Sequence, residues 1–357
     1  MRSRELGVVV GPGTPGPLDA ITDVAGVRVG SVTLIEGADV RTGVTVIVPS
    51  DGAEVFAGCH TLNGNGEMTG LEWVREAGRL TSPIGLTNTH SVGVVRDALV
   101  AAAVRGRPDD AIAWALPVVA ETWDGWLNDI NGFHVRAEHV HQALARAAGG
   151  AVEEGSVGGG TGMICHGFKG GIGTASRMLP EASGGYTVGV LVQANHGRRE
   201  RLMIGGAPVG RLIGRDVVPE GTEAAAGGAG SIIVVCATDA PLLPHQCRRL
   251  AQRTALGVAR CGGVGEHSSG DIMLAFSTAS QRLPPMGGDE AEPPLTVPVT
   301  MLVDEHITPL YDAAVEATEA AIVNALLAAG TMTGRAGHTA HGLEAERLLE
   351  ALRRPGP

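Results

Sequence analysis

The sequence predicts a layered α/β or α+β domain, with sheets covered by helices. Three observations carry that expectation. Val- and Thr-rich runs bounded by turn residues recur along the chain and crowd its middle. Runs with apolar residues at helical spacing flank them in groups. The 357 residues, 44% of them apolar, suffice for one large core or two modest ones. Elements with one apolar face each are covered best by stacking in layers.

The stretches "VRVGSVTLIEG" (27–37) and "TGVTVIVPSDG" (42–52) are β-branched and end in turns, so both predict strands. In "GEMTGLEWVREAG" (66–78), Leu71, Val74 and Ala77 recur at helical spacing. A strand, "SPIGLTNT" (82–89), and a helix, "SVGVVRDALVAAAV" (91–104), follow. "AWALPVVAETW" (113–123) predicts a buried strand, and "VRAEHVHQALARAAGG" (135–150) a helix stopped by glycine. Strands are expected near 162–166, 171–176 and 186–194. After Gly230 the pattern predicts a strand (231–237), a helix (243–260) and strands at 271–278 and 297–302. A long helix (about 308–329) and a last one (about 342–353) complete it. Two stretches lack periodicity. "GGDEAEPP" (287–294) reads as a surface loop. "PEGTEAAAGGAG" (219–230) reads as a mobile linker inside one domain, because strong strand patterns lie on both sides. No internal repeat is visible.

Composition removes several classes of function. Two Tyr and four Phe leave little for stacking on nucleic-acid bases, and a net charge of −11 opposes a polyanionic partner. A cationic small substrate is compatible with that charge. The five cysteines are scattered without a CxxC pair, so neither a zinc site nor a disulfide framework is expected. The apolar run near the N-terminus is too short for a signal peptide, and no stretch nears about 18 uninterrupted apolar residues. A reducing cytoplasm, with no membrane partner, is the expectation. The 54 glycines lack the collagen period and read as tight turns and close backbone approaches.

The motifs are individually ambiguous. "GSVGGGTG" (155–162) lacks the Lys-Ser/Thr ending of a phosphate loop, so tight turns explain it better. The twelve histidines show no metal spacing, and His139 and His141, two apart, face different sides of a helix. No metal and no cofactor are therefore expected. In "HSSGDIMLAFSTAS" (267–280), Ser269 and Asp271 stand at the mouth of an alternating strand. They read as a turn, or as groups that orient a nucleophile. Asn195, at the end of the strand "VGVLVQA", is a turn former or an oxyanion donor. Glu121 ends an apolar run and faces either a pocket or solvent. Ser231 places a lone hydroxyl where a Gly/Ala run switches to a β-branched strand.

Taken together, these segments resemble the self-processing L-aminopeptidase/D-esterase-amidase family, which includes the β-peptidyl aminopeptidases. The resemblance rests on "ITDVAGVRVG" (21–30), "GNGEMTGLEWVREAG" (64–78), "LTNTHSVGVVRDA" (86–98) and "ETWDGWLNDINGFHV" (121–135). It continues through "GSVGGGTGMICHGFKGGIGTASR" (155–177), "GVLVQANHG" (189–197), "GSIIVVCATDAPL" (230–242) and "SGDIMLAFST" (269–278), nearly the whole chain in order. It implies a four-layer α-β-β-α sandwich similar in layering to N-terminal-nucleophile hydrolases, with distinct connectivity. It also implies one catalytic domain, 1–357, that cuts itself between Gly230 and Ser231 into chains 1–230 and 231–357.

The resemblance assigns roles as well. Ser231 is the nucleophile, and its freed α-amine is the base. Ser269 and Asp271 support it by hydrogen bonding, Asn195 is the oxyanion donor, and Glu121 anchors the substrate's free amine. Trp123 falls where some relatives carry a Tyr hydroxyl near the oxyanion. The expected substrates are short peptides or amino-acid amides and esters, and the expected assembly is a homo-oligomer, a tetramer of αβ units. Two other readings remain at this point. One is an acyltransferase of the ornithine-acetyltransferase kind, whose new N-terminus is Thr where this chain has Ser231. The other is a processed, non-catalytic binding protein.

Overall fold

The computed structural model describes residues 1–50, 54–106, 114–220, 230–279, 283 and 294–353. In chain order the described elements are β1 (Arg28–Glu36), β2 (Val40–Val48), β3 (Val55–Gly64), α1 (Leu71–Ala77), β4 (Arg79–Leu80), β5 (Ile84–Asn88), α2 (Val92–Arg105) and β6 (Val118–Thr122). Then come α3 (Ala137–Arg146), β7 (Ile164–Cys165), β8 (Phe168–Lys169), β9 (Gly171–Met178), β10 (Thr187–Asn195), α4 (Val209–Leu212) and β11 (Ser231–Thr238). The remainder are α5 (Pro244–Arg260), β12 (Gly270–Ser277), α6 (Thr308–Ala328), β13 (Met332–Thr333), β14 (Thr339–Ala340) and α7 (Ala345–Arg353).

Two sheets carry the architecture: a four-stranded one ordered β1-β2-β5-β6 and a six-stranded one ordered β4-β3-β12-β11-β10-β9. Each contains one parallel pair, β5 with β6 and β11 with β12, and a helix (α2 or α5) supplies the crossover such a pair requires. Alternation along the strands sorts the side chains. In β11, Ile232, Val234 and Cys236 meet Leu250 and Ala251 of α5 and Ala317 and Ala321 of α6. The intervening Ile233, Val235 and Ala237 face the other sheet, packing with Ile47, Leu86 and Ala120. On the far side, Val44, Val46 and Val119 pack beneath Val95 and Leu99 of α2 and Val140 of α3. The order is therefore helix, sheet, sheet, helix, the four layers that the family resemblance implies. Ile233 is 0% exposed between the sheets, so truncating it to Ala costs about 2–5 kcal/mol.

Local signals set the helix ends. Pro244 opens α5 at a position where its missing N–H costs nothing, and the Gln246 side chain accepts the Leu243 N–H at 3.0 Å. The structure differs from the sequence expectation in several elements. Strand β3 has no counterpart there, because Gly58, His60 and Asn63-Gly64 interrupt the β-branched pattern. Antiparallel pairing with β12 makes it a strand nonetheless. The expected strand at 297–302 is absent: the chain there is largely exposed and joins no sheet, and Leu302 is tied down by its N–H to the Pro241 carbonyl and by its carbonyl to Gln246 Nε2. β-branched residues favour extended backbone, but a strand needs a partner. Helix α3 stops at Arg146, short of the glycines, because Ala148 turns to bridge Val29. The expected strands at 113–123 and 162–166 shrink to β6 and β7. Apart from residues 219, 220, 230 and 294, the linker 219–230 and the loop 287–294 lie outside the described residues. Among the described residues, no helix is long and apolar enough to cross a membrane.

Candidate active site

Ser231 is the first residue of β11, and the ladder pairs it with Asn195, the last residue of β10. By the alternation described above, both sit on the face turned toward the four-stranded sheet. Two sequence-distant residues thus become neighbours through antiparallel register. Ser231 is buried, and its Oγ accepts the Gly270 N–H at 3.0 Å. That contact leaves the hydroxyl proton free to be given away. Parallel pairing of β11 with β12 brings Asp271 opposite Ile232. The carboxylate accepts the Ser269 hydroxyl at 2.5 Å and the Ile232 N–H at 3.3 Å. Asp271 and Ser269 therefore tie the start of β12 to β11 beside Ser231, while the direct contact to its Oγ comes from backbone. Burial raises the Asp271 carboxyl above its usual range.

The Asn195 amide is oriented from both ends. Its Oδ1 accepts the Ile164 N–H at 2.7 Å, and its Nδ2 donates to the Trp123 carbonyl at 3.0 Å. One N–H of the amide remains beyond these contacts. Trp123 thus meets Asn195 through its backbone, and the residue is 45% exposed where it lines the pocket.

Glu121 is buried in β6, near the end of that strand. Its Oε1 accepts the Glu67 N–H at 3.0 Å, and its Oε2 accepts the Thr89 hydroxyl. Among the described residues no Lys or Arg pairs with it. Burial raises its carboxyl, outweighing those two bonds. Glu121, Trp123, Gly230 and Ser231 line one pocket of about 480 Å³, together with Asn65, Gly66, Glu67, Thr89 and Ser268. The carboxylate and the hydroxyl are thus joined by open space large enough for a small substrate.

Residues that sequence reasoning passed over hold this pocket's walls. Asn63 donates to the Ser269 carbonyl at 2.5 Å and to the Glu266 carbonyl at 2.6 Å, and Asn65 donates to the Ser268 carbonyl at 2.7 Å. The Asn-Gly-Asn-Gly run at 63–66 was the available signal, but it needed β3 to give it a place. Gly66 passes so close to Gly270 that a Cβ on it would fall 3.0 Å from the Gly270 Cα and from Glu121 Oε1.

The histidines also differ from the sequence expectation. His166 and His196 meet Cys165 in a buried group whose potential ligand atoms lie within 4.8 Å of one another. These are donor types that hold transition metals. Burial keeps the group neutral, lowering His166 to about 4 and raising Cys165 to about 12. Arg199 already places positive charge beside it, which disfavours a divalent ion there. His196 joins the adjacent Cys165 and His166 from a distant part of the chain, so no spacing rule could have found the group.

The comparisons with known proteins extend over this whole arrangement. The model of peptidase family S58 matches residues 19–340. The chain belongs to peptidase family S58. As an S58 peptidase it is a hydrolase, and neither the acyltransferase nor the non-catalytic reading is favoured. It is 48% identical over 373 aligned residues to the β-peptidyl aminopeptidase BapA of Sphingosinicella microcystinivorans, covering 99% of this chain and 92% of that protein. Among solved structures it is similar to a Burkholderia sp. β-aminopeptidase, with TM-score 0.93 and 55% identity, covering 99% of this chain and 100% of that one. It is also similar to the L-aminopeptidase D-Ala-esterase/amidase from Ochrobactrum anthropi, with TM-score 0.90 and 44% identity, covering 99% and 98% of the two chains. That protein is described as a prototype serine aminopeptidase and a new variant of the Ntn hydrolase fold. The S58 assignment and the four-layer fold agree with the resemblance read from the sequence.

Proposed function

We propose that this S58 peptidase is a self-cleaving serine aminopeptidase that releases N-terminal residues from short peptides, amides or esters. The observation that carries the reading is the pocket shared by the Ser231 hydroxyl and a buried Glu121 that pairs with no Lys or Arg among the described residues. An uncompensated buried carboxylate favours a ligand that brings a positive charge. A substrate's terminal ammonium is such a ligand. Docked on Glu121, it presents the first carbonyl to Ser231.

In the first reaction Ser231 Oγ attacks the Gly230 carbonyl carbon. The C–N bond breaks, the nitrogen of Ser231 takes the proton, and an ester joins Gly230 to Oγ. Water hydrolyses the ester, leaving a carboxylate on Gly230 and a free amine on Ser231. That amine has a reference pKa of about 7.7–8.0, so near neutral pH much of it can accept a proton. In turnover it takes the Oγ proton, directly or through water, as Oγ attacks the substrate carbonyl. The remaining N–H of Asn195 meets the developing oxyanion. The leaving amine departs with the proton, and water cleaves the acyl-enzyme. None of these steps calls on a metal or cofactor. We further propose a cytoplasmic tetramer of αβ units.

Two measurements test the reading. N-terminal sequencing of the purified protein should find a chain beginning at Ser231. Anilides of amino acids with free amines should be cleaved, and their N-acetylated forms should not. Equal rates on both forms would remove Glu121 as an amine anchor.

A further inference from the structure

Asp124 is a carboxylate to which the mechanism above gives no part. It follows Trp123 as the chain leaves β6, and it is 1% exposed. Its side-chain hydrogen-bond partners are neutral: Oδ2 accepts Asn88 Nδ2 at 3.1 Å, Oδ1 accepts Asn128 Nδ2 at 3.0 Å, and the Thr42 hydroxyl also bonds the carboxylate. Asn88 Nδ2 also donates to Thr42 Oγ1 of β2 at 2.8 Å. Lys169 of β8 feels the Asp124 charge but bonds the carbonyls of Gly160, Met163 and Gly170 instead, and burial lowers it to about 7. Burial accordingly pushes the Asp124 carboxyl up to about 6. A buried charge held by neutral donors, a hydroxyl and two amides, is a costly way to close a turn, since apolar packing would do so more cheaply.

The bonds around it lead to both halves of the site. On one side Asn88, at the end of β5, accepts the Ser91 N–H at 3.0 Å and so shapes the 89–91 turn. Thr89 in that turn donates to Glu121. On the other side, the residue before Asp124 is Trp123, whose carbonyl holds Asn195. The main chain of Asp124 is fixed in turn, because its carbonyl accepts the N–H groups of Leu127 at 3.1 Å and Asn128 at 3.0 Å.

We propose that Asp124 is a positioning residue that couples the amine anchor Glu121 to the oxyanion amide Asn195 through Asn88 on one side and the Trp123 carbonyl on the other. The proposal rests on the roles given above to Glu121 and Asn195. In Asp124→Asn, an acceptor pair becomes an amide, and one of its donors must confront Asn88 Nδ2 or Asn128 Nδ2. A buried donor left without an acceptor shifts the geometry of both arms. The exchange Asn88→Asp with Asp124→Asn repairs this. Asp at 88 still accepts the Ser91 N–H and now accepts from Asn at 124, while the new amide oxygen still accepts from Asn128, and the Thr42 hydroxyl turns to donate.

The test compares wild type, Asp124→Asn and the exchanged pair in self-cleavage and in anilide turnover by the processed fraction. Asp124→Asn should lower kcat/KM about tenfold or more, with KM raised through Glu121 and kcat lowered through Asn195. Its self-cleavage should slow in parallel, and the exchanged pair should recover most of both. A folded Asp124→Asn with unchanged kcat and KM overturns the coupling, even if its melting temperature falls. So does an exchanged pair that folds but is no better than the single variant. If Asp124→Asn does not fold, an active exchanged pair supports the proposal and a folded, inactive one overturns it. Glu121→Gln and Asn195→Ala run alongside separate the two levels. If both keep wild-type kinetics, the site reading has failed; if both are impaired and Asp124→Asn is not, the coupling alone has failed.

Discussion

Substituting Gly230 by Ala changes the residue whose carbonyl Ser231 is proposed to attack, and the structure says what the added methyl would meet. It would overlap the Asn195 carbonyl oxygen outright, and would stand 2.8 Å from the Asn195 carbonyl carbon and 3.1 Å from the His196 Cα. All three are backbone atoms at the end of β10, which is laddered on both sides by β9 and β11 and cannot swing away as a side chain would. Gly230 is not among the glycines with positive φ, so the effect is one of volume rather than of conformation. Ordinary carbon–carbon contact lies at about 3.5–4.0 Å, so either Gly230 moves out or Asn195 moves back. Overpacking of this kind costs about 1–3 kcal/mol. Either movement takes the scissile carbonyl away from Oγ or from its oxyanion donor. Self-cleavage should therefore slow by about 5- to 150-fold, at tenfold per 1.36 kcal/mol. Once the bond is cut, residue 230 leaves the catalytic cycle, so the processed fraction should turn over anilides at the wild-type rate. Freshly made precursor, followed by gel and mass spectrometry, gives the first quantity, and active-site-normalised kinetics give the second. Wild-type processing in Gly230→Ala would show that the close approach to Asn195 does not persist in the reactive precursor. A fall in mature turnover to match would show a general distortion instead.

Other outcomes follow from the same geometry. Ser231→Ala should leave one uncut, inactive chain; if it still splits at Gly230 without added protease, the cut is made in trans. Asn195→Ala should lower kcat by about 10²–10³ in both self-cleavage and turnover, since both pass through an oxyanion; normal rates in both would assign the donor elsewhere. Glu121→Gln should spare self-cleavage, which involves no free amine, and raise KM by an amount worth about 2–5 kcal/mol. For pH, Asp124 is raised from 3.8 to about 6 in the folded state. The fold binds a proton there that the unfolded chain releases. Its contribution to stability is therefore full below about pH 4 and lost as pH rises through 6. Activity should run the other way, because the bracing acceptor is the charged form. On lowering pH through 6, kcat/KM should fall while the Asp124 share of the melting temperature rises, a share absent from Asp124→Asn. Parallel melting curves for the two proteins from about pH 4 to 8 would remove Asp124 as the titrating group.

The elements legible in the sequence are those whose cause is local. The β-branched alternation from Ser231 to Thr238 and the apolar period of residues 244–260 and 308–328 each need only their own side chains, and the structure places β11, α5 and α6 there. The same holds for the sharp change from a Gly/Ala run to a strand at Ser231, which marked that residue before any contact was known. Pairing is another matter, because a strand exists only where a second backbone meets its donors and acceptors. Residues 55–64 have a poor strand pattern and became β3 because β12 lies beside them. Residues 297–302 have a good pattern but pair with no strand among the described residues. The site follows the same division. Residue types at 121, 195, 231, 269 and 271 suggested the chemistry one by one, each with an ordinary turn or strand-end explanation. Only the antiparallel register of β10 on β11 and the parallel register of β11 on β12 bring Asn195 and Asp271 beside Ser231, and only the tertiary fold puts Glu121 and Ser231 on one pocket. The charge states belong wholly to the fold. Glu121, Asp124 and Asp271 are plain acidic residues in the sequence, and their raised pKa values come from burial, which is a property of everything packed around them.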